Sequence, residues 1–509
     1  MNNNSLSNNK RIAKNTLLLY IRMFVIMAIS LFTSRVILKV LGVEDFGIYN
    51  VVGGIIAMLG VLNASMTVST QRFLTFELGT GNKTKLKKNF SMCFTIYLIL
   101  ALIFVVLAET VGLWFLNTHM TIPSNRIFAA NWVYQFTIIS SVFSLLTNPY
   151  NASIIAHENM NVFAYVSMGD AMLKLVIVYL LLVIDFDKLI VYGALILCIQ
   201  LFDMALYFIY CVKHYEETHY KFFWDKDLFK ELFFYSGWNL FGSLCAIAKG
   251  QGLNILLNMF FNPSVNAARG IAFQVNNIVS QFFTNFYTAV RPQITKYYAQ
   301  NDLENMFNLV FRSSKFTFYL ILLMSLPLLI ESPFIINLWL GQLPEYVVSF
   351  MRLIIIVTAI DATASPIMTT CHATGNIKLY QSLVGAIIIL ILPISYVVLT
   401  MGASPISVFI VSVIFSGVGF FARLWVVRRL VNFPVKDYLL GVCGKVVLVA
   451  IIASIVPCIV HVAFTKENTI ALLNCFICIV STVCTIYMIG LSHNEKQFIV
   501  STIKKKLHR

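Results

Sequence analysis

The chain has 509 residues, 59% of them hydrophobic, 14% aromatic and only 12% charged, with 37 Lys and Arg against 22 Asp and Glu for a formal net charge of +15. Apolar runs on this scale exceed what a soluble core needs, so lipid is the solvent. The positive charge would point to nucleic acid in a soluble protein, but here the placement of the cations explains it, and nucleic acid is excluded as a partner.

Fourteen apolar runs are long enough to cross a bilayer of about 30 Å. They start near Thr16, Phe46, Phe90, Ile127, Val162, Leu189, Leu232, Val265, Leu309, Tyr346, Ile377, Pro405, Leu440 and Ile470. The Asn-rich start, Met1 to Asn9, leads into a basic patch and a full-length span, which reads as a retained segment rather than a cleaved signal. Most basic residues fall at the chain ends or in the even-numbered connections, of which 72–88, 213–230, 291–315 and 423–436 are the richest. Few fall in the odd ones: Lys39, Arg126, Lys188, Arg269 and Lys466. The positive-inside rule then places both termini and the even connections in the cytoplasm. Outward connections such as 41–45, 185–188 and 401–404 leave no room for an external domain, so function must reside in the helix bundle.

Two segments recur. Asn148 to Asn159, at the end of the fourth run, parallels Ser365 to Asn376 at the end of the tenth, with Pro149 and Pro366 217 positions apart. The stretch from Gln71 to Asn82 mirrors Arg291 to Asp302, with Thr75 and Thr295 220 apart. An offset that spans six runs predicts an all-α polytopic membrane protein of about fourteen transmembrane helices. Two six-helix lobes are related by a pseudo-twofold repeat, with two C-terminal helices appended. The expected division is a cytoplasmic N-terminus (1–15), an N-lobe (16–213), a linker (214–230), a C-lobe (231–430), spans thirteen and fourteen (431–492) and a basic tail (493–509). Parallel repeats of this kind line many transporters, with the substrate site between lobes near the midplane.

A charge at the bilayer centre costs roughly 2.5–3.5 kcal/mol on the lenient insertion scale, so an embedded cation needs a wet cavity or a partner. Arg22, Arg35, Lys174, Lys249, Arg352 and Lys445 lie inside runs. Arg22, Arg352 and Lys445 are near enough to a helix end to snorkel. Arg35, Lys174 and Lys249 are not so easily accommodated, although Asp170, one turn before Lys174, can pair with it. Arg269 opens the eighth run, followed at helical spacing by Gln274, Asn277, Gln281 and Asn285; the seventh run carries Asn239, Ser243, Asn254 and Asn258. Such stripes either bond helices together or line a hydrated cavity, and their number favours the cavity. Embedded acids are fewer: Asp170, Asp203 and Asp361, with Glu109 and Glu331 nearer span ends. The excess of cations points to an anionic cargo. A carboxylate in the bilayer takes up a proton or cation readily, which makes Asp203 and Asp361, with Asp170, candidates for ion coupling. All ten cysteines, including the Cys475/Cys478 pair, sit in or beside apolar runs and read as small packing residues, not metal ligands. The segment from Gly79 to Thr84 lacks glycines where a phosphate-binding loop requires them, and no motif for covalent chemistry is present, so neither an enzyme nor a cofactor is expected.

The stretch from Ser34-Arg35 to Gly42, followed by Phe46-Gly47-Ile48-Tyr49, together with Gln71-Arg72-Phe73, Ala267 to Ala272 and Pro292 to Lys296, resembles the polysaccharide transporters. These are Wzx-type flippases of lipid-linked oligosaccharides such as O-antigen units, in the superfamily that also holds multidrug and toxin extruders and lipid II flippases. The resemblance covers essentially the whole chain. It implies a two-lobed bundle in a bacterial cytoplasmic membrane that moves undecaprenyl-pyrophosphate-linked repeat units to the outer leaflet for surface polysaccharide biosynthesis, among membrane lipids and alongside a polysaccharide polymerase and other pathway enzymes. It also implies a cationic lumen, which Arg35, Lys174, Lys249 and Arg269, with Arg22, would supply around the cargo phosphates. The same fold as a multidrug extruder or a lipid II flippase is the alternative.

Overall fold

The computed structural model describes residues 3–120, 122–463, 468–493 and 495–497. Lys466 and the end of the basic tail lie outside the described residues, as do the side chains of residues 3–10 and of Arg35. In chain order the helices are α1 (Asn3–Thr80), α2 (Lys83–Thr118), α3 (Ile127–Ala156), α4 (Met160–Leu180), α5 (Lys188–His214), α6 (Lys226–Phe260) and α7 (Pro263–Ala299). They continue with α8 (Leu303–Ile330), the short α9 (Ser332–Leu340), α10 (Val347–Ala373), α11 (Lys378–Thr400), α12 (Ile406–Val431), α13 (Val435–Ala463) and α14 (Asn468–Gly490).

Among the described residues, twelve helices are long and apolar enough to cross a membrane. Two further expected crossings fall in the second half of α1 and in α7. The first two runs are two helices that meet directly at Gly42 (φ 79°, ψ 170°), where the helical dihedrals of α1 break. Glycine adopts this geometry without a Cβ clash, so the expected connection at 41–45 shrinks to a single-residue kink. The eighth crossing, α7, has 37 residues, ample length, but its amide stripe takes it below the apolarity of its neighbours.

The chain forms two compact units, one of residues 1–243 with 295–302 and the other of residues 244–294 with 303–509. The chain passes from one unit to the other within α6 and again near the end of α7. In the first unit α3 packs against α1 and α5, over a core that includes Leu74, Phe90, Tyr150, Ile154 and Tyr207. In the second, α10 packs on α8 and α12, α11 on α12, and α14 on α8 and α13. One of its cores contains Leu257, Val265, Phe350, Ile354, Val408 and Phe409.

The repeated segments share backbone punctuation. Helices α3 and α10 end at Ala156 and Ala373, 217 positions apart, and the second residue after each, Glu158 (φ 62°) and Gly375 (φ 80°), is left-handed. Likewise Gly81 (φ 74°) follows α1 and Asn301 (φ 57°) follows α7, 220 apart. A left-handed residue just past the last turn satisfies carbonyls that the helix leaves open, so the same terminator is built with different side chains in the two halves.

Candidate functional site

In the first unit, Asp170 and Lys174 lie one turn apart on α4, and Lys174 Nζ donates to Asp170 Oδ2 at 2.8 Å. Asp203 on α5 interacts electrostatically with both, and its Oδ1 is buried without a hydrogen-bond partner. Tyr207, one turn along α5, is the common neighbour of Asp203, Asp170 and Arg22. Arg22 reaches this group from α1, its guanidinium 4.4 Å from the centre of the Phe163 ring, while its Nε is buried and unbonded. Arg22, Asp170 and Asp203 thus meet around one tyrosine, with Lys174 paired to Asp170, so the fold brings the four charges into one neighbourhood.

In the second unit, Lys249 on α6 and Asp361 on α10 line a cavity of about 260 Å³ with Arg423 on α12. Arg423 Nη1 donates to Asp361 Oδ1 at 2.9 Å, and Ser416 Oγ donates to the same oxygen at 3.1 Å. Thr358 Oγ1 and Asn276 Oδ1 are hydrogen-bonded at 2.7 Å in the wall. Arg269 is placed differently. Its Nη1 donates to Asn254 Oδ1 at 3.1 Å, its Nη2 donates to the Gly250 carbonyl at 2.6 Å, and its guanidinium lies over Phe273, so it holds the start of α7 to α6.

The amide stripes also separate. Gln274, Asn277 and Gln281 form an exposed face of α7, with Asn285 half-buried and donating to the Gln281 carbonyl at 2.8 Å. Hydrocarbon does not solvate a row of amides, each open polar group there costing several kcal/mol. On α6, Asn239 is buried in the first unit and donates to Ser69 Oγ at 3.4 Å. Asn254 binds Arg269, Ser243 is half-buried and Asn258 is exposed.

Several cations assigned by sequence to cytoplasmic connections are structural members of helices. Arg423 lies inside α12, because the apolar run resumes at Leu424 to Val427 and carries the helix past the charge. Lys315 is buried in α8 and bonds both carboxylate oxygens of Glu495 at 3.3 Å. Arg72 is buried in α1, its guanidinium 4.6 and 4.8 Å from the Phe73 and Phe76 ring centres. Asn276, one residue from the stripe, is buried and lines the cavity. Other embedded charges are held locally. Arg352 Nε donates to the Leu329 carbonyl at 2.8 Å near the end of α8, Glu331 accepts from Asn474 at 2.6 Å and pairs with His461 at 2.8 Å, and Glu109 accepts from Gln135 at 3.1 Å. The ten cysteines are free thiols.

No protein-family model and no curated protein matches the sequence. Solved structures do match the fold. One is a multidrug resistance MATE family transporter of the MOP superfamily in an outward-facing conformation, 14% identical, with a TM-score of 0.70 over 84% of this chain and 97% of that one. A second is a MATE protein in complex with MaD3S, 12% identical, with a TM-score of 0.68 over 83% and 97% of the two chains. A third, from Pyrococcus furiosus, is a MOP superfamily transporter whose binding pocket of reverse polarity is said to suggest a different function; it is 13% identical, with a TM-score of 0.66 over 82% and 96%. The chain is a multi-pass membrane protein with the fold of MOP-superfamily transporters.

Proposed function

We propose that the protein is a transporter, not an enzyme, that moves an anionic lipid-linked saccharide across a bacterial cytoplasmic membrane by alternating access. The cargo is an undecaprenyl-pyrophosphate-linked oligosaccharide, carried from the cytoplasmic to the outer leaflet for surface polysaccharide synthesis. The observation that carries this reading is the cavity of the second unit, where Lys249 and Arg423 face a single carboxylate, Asp361. The pyrophosphate is the part of such a cargo that hydrocarbon excludes most strongly, and ammonium and guanidinium groups replace its water while the lipid tail stays in the bilayer. An inside-negative potential adds about 2.3 kcal/mol per charge per 100 mV in the outward direction. A pocket of reversed polarity in a transporter of the same fold is in keeping with this assignment.

The second reading is a drug extruder, favoured by the first unit, where Asp170 and Asp203 provide acids for an organic cation or a coupling proton. The test is delivery of labelled undecaprenyl-pyrophosphate-linked oligosaccharide to the outer leaflet of reconstituted vesicles, with a cationic dye as competing cargo. Protein-dependent movement of the lipid-linked sugar, reduced at least tenfold by Lys249→Gln, is the expected result. Movement of the dye alone would overturn the flippase reading.

A further inference from the structure

The Arg423–Asp361 pair has the form of an anion site that the protein itself fills. Arg423 uses Nη1 alone toward Asp361 Oδ1, and that oxygen is shared with Ser416 Oγ. The contact is one-pronged, weaker than the two-pronged fork that a guanidinium forms with a well-placed oxyanion. Asp361 remains 40% exposed while Arg423 is 12% exposed, so the carboxylate stands on the open side of the pair. Arg423 also lies within electrostatic range of Tyr380. Lys249 lines the same cavity, within electrostatic range of both groups, and makes no hydrogen bond of its own among the described residues. Two cations against one carboxylate leave the cavity with a net positive charge. Its volume of about 260 Å³ far exceeds the roughly 10–15 Å³ that one water needs.

We propose that Asp361 is a built-in stand-in for the cargo's phosphate: the pyrophosphate displaces it from Arg423 and Lys249 on binding, and its return to Arg423 expels the pyrophosphate on release. This rests on the reading of the cargo as pyrophosphate-linked. A pyrophosphate presents several acceptor oxygens to the fork of Arg423 and to Lys249, whereas Asp361 uses one oxygen on one nitrogen. Binding is therefore an exchange of one anion for another, which avoids leaving either cation bare in the membrane. The role differs from cation coupling, in which loss of the Asp361 charge abolishes binding of the coupling ion and leaves anion affinity unchanged.

The experiment is a calorimetric titration of the full-length protein in nanodiscs with inorganic pyrophosphate at fixed ionic strength, for wild type, Asp361→Asn, Arg423→Gln and Lys249→Gln. Asp361→Asn is expected to bind about tenfold more tightly, since a competing charged hydrogen bond is removed, and the other two about tenfold more weakly. Ser416→Ala, which loosens the hold on Asp361 without changing charge, should tighten binding in the same direction by a smaller factor, and it decides the matter if Asp361→Asn does not fold. Equal or weaker binding by the folded Asp361→Asn variant, or by Ser416→Ala in its place, overturns the proposal, as does an affinity that none of the substitutions changes. Undecaprenyl pyrophosphate should compete with the inorganic probe. Displacement of the probe by phosphatidylglycerol instead would make this a headgroup site of the bilayer and overturn the assignment to cargo. Vesicle transport separates the two levels: wild type that moves no lipid-linked sugar refutes the proposed function whatever the titrations give, whereas normal transport with unchanged pyrophosphate affinity in Asp361→Asn refutes this inference alone.

Discussion

Glu158→Gln is the sharpest test of how the first unit is held together. Glu158 stands in the left-handed turn after α3 with its side chain fully buried, Lys296 Nζ at 2.6 Å and Arg11 Nε at 2.8 Å, while Asn15 Nδ2 donates to its backbone carbonyl at 2.9 Å. Glutamine preserves the shape and removes the charge. Lys296 is 18% exposed, so its charged hydrogen bond contributes about 1.5–3 kcal/mol. Arg11 is 46% exposed and screened by water, which limits its share to about 0–1 kcal/mol. The variant should therefore lose about 1.5–4 kcal/mol, and a unit of this size should melt roughly 3–15 °C lower. The assay is thermal unfolding of the purified protein in detergent, with Lys296→Met and the double mutant completing a cycle. A coupling energy of about 1.5–3 kcal/mol is expected between the two positions. A coupling below about 0.5 kcal/mol would show that the pair is not what anchors the 295–302 segment.

Arg126 bridges Asp45 at 2.6 Å and Asp187 at 2.5 Å between the helices of the first unit. Burial alone would raise the Asp187 carboxyl, but the Arg126 hydrogen bond and the backbone N–H groups of Ile190 and Leu189 hold it below its ordinary value. Because the folded value is depressed, its stabilising contribution is present above the ordinary carboxylate range and lost as the pH falls through the folded value. The melting difference between wild type and Asp187→Asn should accordingly be full at neutral pH and vanish on acidification; a difference that persists unchanged in acid would contradict this. A Cβ on Gly79 would stand 2.7 Å from Ala299 Cβ and 3.1 Å from the Lys296 backbone, whereas one on Gly252 would meet only the tip of Leu392 at 2.6 Å. Gly79→Ala should lower stability by about 1–3 kcal/mol because backbone must move, and Gly252→Ala by distinctly less because a leucine rotates away. Equal melting shifts for the two would refute this reasoning.

What the sequence by itself determined is whatever depends on neighbours along the chain. Span lengths follow from bilayer thickness, and the Lys174–Asp170 pair follows from the helical period. The left-handed terminators at Gly81 and Gly375 fall in the repeated segments that length and spacing alone pick out. The kink at Gly42 was legible as a break, though not as a break of one residue between two helices. Tertiary structure decided which charges are paired inside the bundle. Arg423 meets Asp361 across 62 positions, Lys296 meets Glu158 across 138, and Lys315 meets Glu495 across 180. Each of these cations looks like part of a cytoplasmic connection when only its neighbours are considered. The penalty for burying it is relieved by a partner far along the chain, and no local pattern records where that partner lies. The same holds for the cavity of Lys249, Asp361 and Arg423: its chemistry comes from residues on three helices that only packing brings to one place.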